Sequence, residues 1–356
     1  MNLFINRTER RLHLGWRIAL QLLMHLLGVG LMSAAAAALV FAVLLATGQL
    51  AIGQGLSLPQ LQAAINSLMS RQPLLLVLQQ GVMVLLAVPL YVLIARLLDR
   101  RSVKDYGLRL NPVWWRDLGF GLLLGGVLMS ILFGVELLLG WVQVTGRFAT
   151  PQPGMFFWPV LLASLLHYVY VGISEELMSR GYQLRNIAES LNRGRLSPRT
   201  AVLISYAITS SIFGLLHMAN PNASLFAGLN IILAGLMLGL GMVLTGSLAI
   251  PIGLHITWNF FQGNIFGLPV SGRASAISLL AVEQAGPDFW TGGLFGPEGG
   301  MLGVLVMLLG IGLTWAYIRL TRGRAGVHTP LAAYRPAGQT ELAPAEAPQP
   351  GEVPTA

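Results

Sequence analysis

Cysteine is absent from the 356-residue chain, which excludes disulfides, cysteine-ligated zinc and thiol nucleophiles. Charge is scarce too. Formal charges fall on 22 Lys or Arg and 14 Asp or Glu, 10% of the chain, against about 25% in a soluble globular protein. With 54% of residues hydrophobic and a mean hydropathy of +0.68, the chain has too few charges to cover a water-soluble surface. No aspartate lies deep in an apolar stretch, which counts against an aspartyl intramembrane protease with two carboxylates sharing a proton. No His-Glu-x-x-His occurs, which counts against a zincin-type helix, and Gly246-Ser247 lacks the setting of a serine protease. The net charge of +8 does not mark a nucleic-acid partner, because the basic residues fall between apolar segments rather than on one soluble face.

What the chain does have is apolar runs long enough to cross a bilayer, about 20 residues each. These predict an all-α integral membrane protein with eight transmembrane helices at 15–47, 73–97, 117–144, 156–179, 200–219, 223–245, 247–264 and 300–319. The first run is too long for a signal-peptide core and reads as an uncleaved anchor. Alternating the loops puts 19 basic residues on the side of the termini and only Arg71, Arg147 and Arg273 on the other. That asymmetry predicts both termini in the cytoplasm. The expected organisation is a three-span region over 1–150, a catalytic core over 151–265 formed by four helices, a Gly-rich outer loop over 266–299, a final transmembrane helix over 300–324 and a disordered Pro/Ala-rich tail over 325–356. The outer loop at 48–72 is expected to hold a short amphipathic helix near Leu58–Met69. No internal repeat is visible.

Ionisable residues inside spans are costly and default to functional candidates: His25, Glu136, His167, Glu175, Glu176, His217 and His255, with Arg180 just beyond. Glu176 and Arg180 are i,i+4 neighbours in the favourable order. Glu175 is turned from Glu176 by about 100° on an α-helix, so one glutamate is neutralised and the other is left for chemistry. His255 and Asn259 share one helix face, as do Phe213 and His217. Taken alone, each histidine reads as an interhelical hydrogen-bonder. An antiparallel hairpin puts Glu175 and His217 at similar depth, whereas His255 reaches that depth only if the turn at Thr245–Ser247 is sunk in the bilayer. His25 reads as structural, His167 as support for the same cavity, and Glu136 as paired with a neighbouring helix or near the interface. Gly121-x-x-x-Gly125 and Gly235-x-x-x-Gly239 read as helix packing.

Three motifs in order, Glu175-Glu176-Leu177-Met178-Ser179-Arg180, Phe213 to His217 and His255 to Asn259, resemble those of the CPBP intramembrane proteases, the CAAX-protease and bacteriocin-processing (Abi, Rce1-like) family. The resemblance covers roughly residues 155–265. It implies an endopeptidase of membrane-anchored proteins or peptides at the lipid bilayer, with Glu175 activating water and His217 holding it. His255 and Asn259 would bind the oxyanion, supported by Glu176 and Arg180. Members are commonly called metalloproteases; if a divalent metal takes part, zinc foremost, Glu175, His217 and His255 are the implied ligands, and a metal-free glutamate mechanism uses the same residues. Two other readings compete: a non-catalytic membrane immunity or scaffold protein of the same fold, and a proton-coupled transporter.

Overall fold

The computed structural model describes residues 4–6, 9–48, 72–150, 154–194 and 196–334. After a two-stranded pairing of β1 (Ile5–Asn6) with β2 (Arg11–Leu12), the chain forms α1 (Leu14–Ala46), α2 (Pro73–Asp99) and α3 (Pro112–Leu138). Pro112 occupies the first turn of α3, where no N–H is needed, and the Asn111 side chain accepts from Trp114 N–H at 2.9 Å. Strand β3 (Val142–Ala149) follows, then α4 (Phe157–Glu176), which runs without a break through a π-helical stretch, Leu177–Leu184, into α5 (Arg185–Leu191). The return helix α6 (Pro198–His217) is capped by Ser197, which accepts from Thr200 N–H. Helix α7 (Leu225–Thr245) ends on Gly246, whose φ of 69° is open to glycine at little cost. Helix α8 (Ala249–Phe260) continues as a π turn, Phe261–Ile265. Strand β4 (Ser278–Gln284), the short α9 (Asp288–Thr291) and α10 (Met301–Arg322) complete the described chain.

Seven of these helical segments are long and apolar enough to cross a membrane, with α4 through α5 counting as one of 35 residues. The chain is thus a mostly helical, multi-pass membrane protein. The eighth expected span, 247–264, is short, the 12-residue α8 plus a five-residue π turn, and carries the chain back through the bundle from the 245–248 turn. All its residues from Ala249 to Ile256 are buried, because protein rather than lipid surrounds it. Helices α3 and α8 meet backbone to backbone. A Cβ on Gly121 would stand 2.5 Å from Ile250 O, one on Gly125 2.5 Å from Leu254 O, and one on Gly253 2.5 Å from Leu118 O.

Two corrections concern the ends of the bundle. The irregular outer loop expected over 266–299 contains β4, which pairs antiparallel with β3, Val142 opposite Gln284, beside a mostly helical bundle. The disorder expected from residue 325 does not hold for 325–334, where Leu331 and Ala332 are buried in the core and Tyr334 Oη donates to Asp99 O at 2.9 Å. The expected amphipathic helix near Leu58–Met69 and the tail beyond 334 lie outside the described residues.

The strap at 325–334 has a physical reason to pack. Glu175 lies 16 residues from Leu191, about 24 Å at 1.5 Å per residue, whereas His255 lies six residues, about 9 Å, from Ala249. Since His255 contacts Glu176, the 245–248 turn must sit deep inside the bundle. The strap and the 100–111 loop fill the space over it: His328 N–H donates to Val243 O at 2.8 Å and Leu248 N–H to Gly107 O at 3.1 Å. Beside them a buried ion cluster ties four chain segments together. Arg11 and Arg101 each reach Glu189 at 2.8 Å, Arg17 reaches Asp99 at 3.1 Å, and Tyr106 Oη donates to Asp99 at 2.7 Å.

Candidate functional site

Glu175 and Glu176 close the α-helical part of α4, and the π stretch starts at the next residue. Such π segments inside α-helices frequently occur at functional sites. The Glu176 side chain has no exposure and is paired as the spacing predicts, with Arg180 Nη1 donating to Oε1 at 2.9 Å. Arg180 Nη2 donates to Gly235 O on α7 at 2.9 Å, and its guanidinium lies 4.5 Å from the Phe213 ring centre. Glu175 points elsewhere: its side chain is 30% exposed and lines a cavity of about 660 Å³.

That cavity gathers all four expected site residues, Glu175, His217, His255 and Asn259, from α4, α6 and α8. His255 Nδ1 stands 2.9 Å from Glu176 Oε1, and its Nε2 stands 4.0 Å from Glu175 Oε2. A carboxylate only accepts, so the Nδ1 proton is directed at Glu176 and the other nitrogen faces Glu175. His217 Nδ1 lies 2.7 Å from Phe213 O; a carbonyl likewise only accepts, which leaves Nε2 of the neutral ring as an acceptor. Phe213 packs between the two histidines, 4.6 Å from His217 and 6.2 Å from His255 between ring centres.

The contact of His255 with both glutamates establishes the sunken turn on which its depth depended. His167 lines the same cavity. The remaining two candidates stand apart from it. His25 Nδ1 is 3.1 Å from Tyr91 Oη, and the buried Glu136 accepts from Gln284 on β4, not from a neighbouring helix. The three implied metal ligands, Glu175, His217 and His255, share this cavity, but among the described residues no three His, Asp or Glu side chains stand close enough together to hold an ion, and Glu176 engages His255 Nδ1.

Sequence reasoning missed the cavity's other rim, which comes from the Gly-rich loop. Ser271, Arg273, Ser275 and Glu298 line it, together with Tyr168 on α4. Glu298 is buried and accepts from Ser271 N–H at 2.5 Å, Ser271 Oγ at 3.2 Å and Gln262 Nε2. Burial pushes its carboxyl up to about 7 against the pull of those donors. The one signal in sequence was a lone acid in an otherwise uncharged glycine run.

Residues 156–261 match the family of type II CAAX prenyl endopeptidase Rce1-like proteins. The core is Rce1-like. The resemblance carried by the three motifs is borne out, and every motif residue from Glu175 to Asn259 lies within the matched segment. The chain is also similar to the uncharacterized protein YyaK of Bacillus subtilis (strain 168), 27% identical over 235 residues covering 64% of this chain and 74% of that protein. No solved structure matches. The outer rim, 270–277 and 298, lies beyond the Rce1-like segment.

Proposed function

We propose that the chain is an intramembrane endopeptidase that cleaves a membrane-anchored protein or peptide, with both termini in the cytoplasm and no nucleic-acid partner. Family membership of the core points to intramembrane proteolysis; the observation that carries the mechanism is the division of labour between the two glutamates. Arg180 neutralises Glu176 through its Oε1, while Glu175 forms no ion pair with an arginine or lysine among the described residues and its Oε2 faces His255 Nε2 across 4.0 Å. A separation of 4.0 Å is one that a water hydrogen-bonded to both groups, at about 2.8 Å each, can bridge.

Glu175 takes one proton from this water, and the other hydrogen points to His217 Nε2. The water oxygen bonds to the peptide carbonyl carbon while the C=O π pair moves onto oxygen. Asn259 Nδ2 donates to that oxyanion, as does His255 Nε2 when the ring carries both protons. Collapse of the tetrahedral intermediate breaks the C–N bond, and the proton held by Glu175 passes to the leaving amine. A positioned base contributes about 10²–10⁴-fold, and an oxyanion donor about 10²–10³-fold.

The test is Glu175→Gln, nearly isosteric but without the base. Membranes of cells expressing either form are compared for new protein amino termini by mass spectrometry. Termini present only with the unaltered chain establish proteolysis and name substrates together. Identical profiles at equal abundance in the native host would transfer the reading to a non-catalytic immunity or scaffold protein.

A further inference from the structure

The cavity is a one-ended channel, and its open end is not the end that holds the termini. On α4 its lining runs along a single face, Val160, Ser164, His167, Val171 and Glu175, and stops at Met178. From Val160 to Glu175 this face is about 22 Å long at 1.5 Å per residue. The other walls point the same way: α6 contributes only from Phe213 onward, α8 only from His255 onward, and the rim is Val270–Ile277 with Glu298.

The opposite end is shut by three layers. The 245–248 turn is bonded to Gly107, the strap bonds to Val243 through His328, and outside these lies the buried cluster of Arg11, Asp99, Arg101 and Glu189. The open rim is a built structure. Ser271 and Gly272 turn with φ of 46° and 82°, and a Cβ on Gly272 would collide with Pro221 O, so the turn rests directly on the segment after α6. Glu298 holds the turn to Gln262, three residues beyond Asn259 on the same helix. This framework places Arg273, the one Lys or Arg of the lining, at the entrance. Among the described basic residues, the connections at this end hold only Arg147 and Arg273, which assigns it to the non-cytoplasmic side.

We infer that substrate reaches Glu175 from the membrane face opposite the termini, as an extended polypeptide laid along α4 past Arg273, and that the cytoplasmic end admits none. The inference rests on the endopeptidase reading. A channel of about 22 Å takes six or seven residues at about 3.3 Å each, so the substrate is a flexible segment of an exported or membrane-anchored polypeptide, displayed outside. A folded domain does not fit, and a tail presented in the cytoplasm has no route.

The absence of cysteine makes single-cysteine variants clean reporters. Ala274→Cys at the rim and Arg324→Cys at the terminus end are expressed in bacterial cells and treated with a bulky membrane-impermeant maleimide. Ala274→Cys is expected to label fully in intact cells, and Arg324→Cys only after permeabilisation. On substrates found by amino-terminal profiling, labelling is then expected to lower cleavage by Ala274→Cys at least about tenfold relative to the same variant left unlabelled, whatever its starting rate, while labelling leaves the rate of Arg324→Cys unchanged. Labelling of Ala274→Cys only in permeabilised cells overturns the inference, as does cleavage that survives labelling at the rim. Identical amino-terminal profiles for the unaltered chain and Glu175→Gln overturn the endopeptidase reading and the substrate with it; the labelling pattern, which needs no activity, tells the two failures apart.

Discussion

Replacing Arg180 by methionine tests the electrostatic division on which the site depends. The guanidinium is buried, donates to Glu176 Oε1 and Gly235 O at 2.9 Å each, and lies against Phe213. Methionine keeps much of the apolar stem but leaves the Glu176 carboxylate, with no exposure of its own, facing only the His255 ring. Breaking a buried pair from one side costs about 3–5 kcal/mol, whereas replacing both partners with neutral groups is often neutral or better. Arg180→Met alone should therefore lose about 3–5 kcal/mol, and Glu176→Gln/Arg180→Met should recover most of it, since a glutamine oxygen still accepts from His255 Nδ1. The assay is reversible unfolding in mixed micelles, followed by tryptophan fluorescence, for the four members of the double-mutant cycle. A single-variant cost under about 1 kcal/mol, or effects that add without coupling, would refute the reasoning.

Other consequences follow from the same geometry. Asn259→Ala should lower kcat by about 10²–10³-fold, the usual cost of one oxyanion donor, with little change in KM, measured on a peptide spanning an identified cleavage site. Gly125→Val should destabilise the α3–α8 crossing by about 1–3 kcal/mol or more, because its Cβ would collide with Thr257 Oγ1 and stand 2.5 Å from Leu254 O; Gly119→Ala, with nothing within 4 Å, should not. Glu298 has its carboxyl raised from 4.5 to about 7 by burial, so the folded state keeps a proton that the unfolded chain has lost between those values. Its contribution is present below about pH 4.5 and lost as pH rises through about 7, by about 3 kcal/mol in all. Glu298→Gln should flatten that slope in the same unfolding assay, and an unchanged slope would assign the pH dependence elsewhere.

The site was more legible than the fold around it. Its key residues lie on regular helices, where spacing alone pairs Glu176 with Arg180 and turns Glu175 away. The structure adds the partners across helices, including Phe213 wedged between both histidines. Hydropathy identified the apolar runs but could not separate a helix facing lipid from one encased in protein, so the burial of α8 was not legible. The π stretches at Leu177–Leu184 and Phe261–Ile265 leave no mark in apolar periodicity. Composition misread residues 325–334: a Pro- and Ala-rich tail looks disordered, yet His328 bonds Val243 beside the sunken turn and Tyr334 bonds Asp99 in the ion cluster. The basic residues near the termini carried two messages at once, since Arg11, Arg17, Arg101 and Arg185 are buried partners in an ion cluster as well as markers of sidedness.

The doubled glutamate has a consequence that neither residue would have alone. Two neighbouring carboxylates of one helix bracket a single imidazole, Glu176 at Nδ1 and Glu175 toward Nε2. A neutral His255 with its proton directed at Glu176 presents a bare lone pair to the Glu175 carboxylate, which is repulsive unless a proton lies between them. That proton is either the imidazolium's own or one belonging to a bound water, and these are the two species the hydrolysis needs: a donor for the oxyanion and a water within reach of a base. Removing the Glu176 acceptor frees the ring to put its proton on Nε2, where it bonds Glu175 directly and competes with water for the base. The conservative Glu176→Gln exchange keeps an acceptor at Nδ1 and should therefore retain far more activity than Glu176→Leu, although both leave Arg180 without its carboxylate. Equal losses in the two variants would mean that the ion pair with Arg180, and not the orientation of His255, is what the second glutamate supplies.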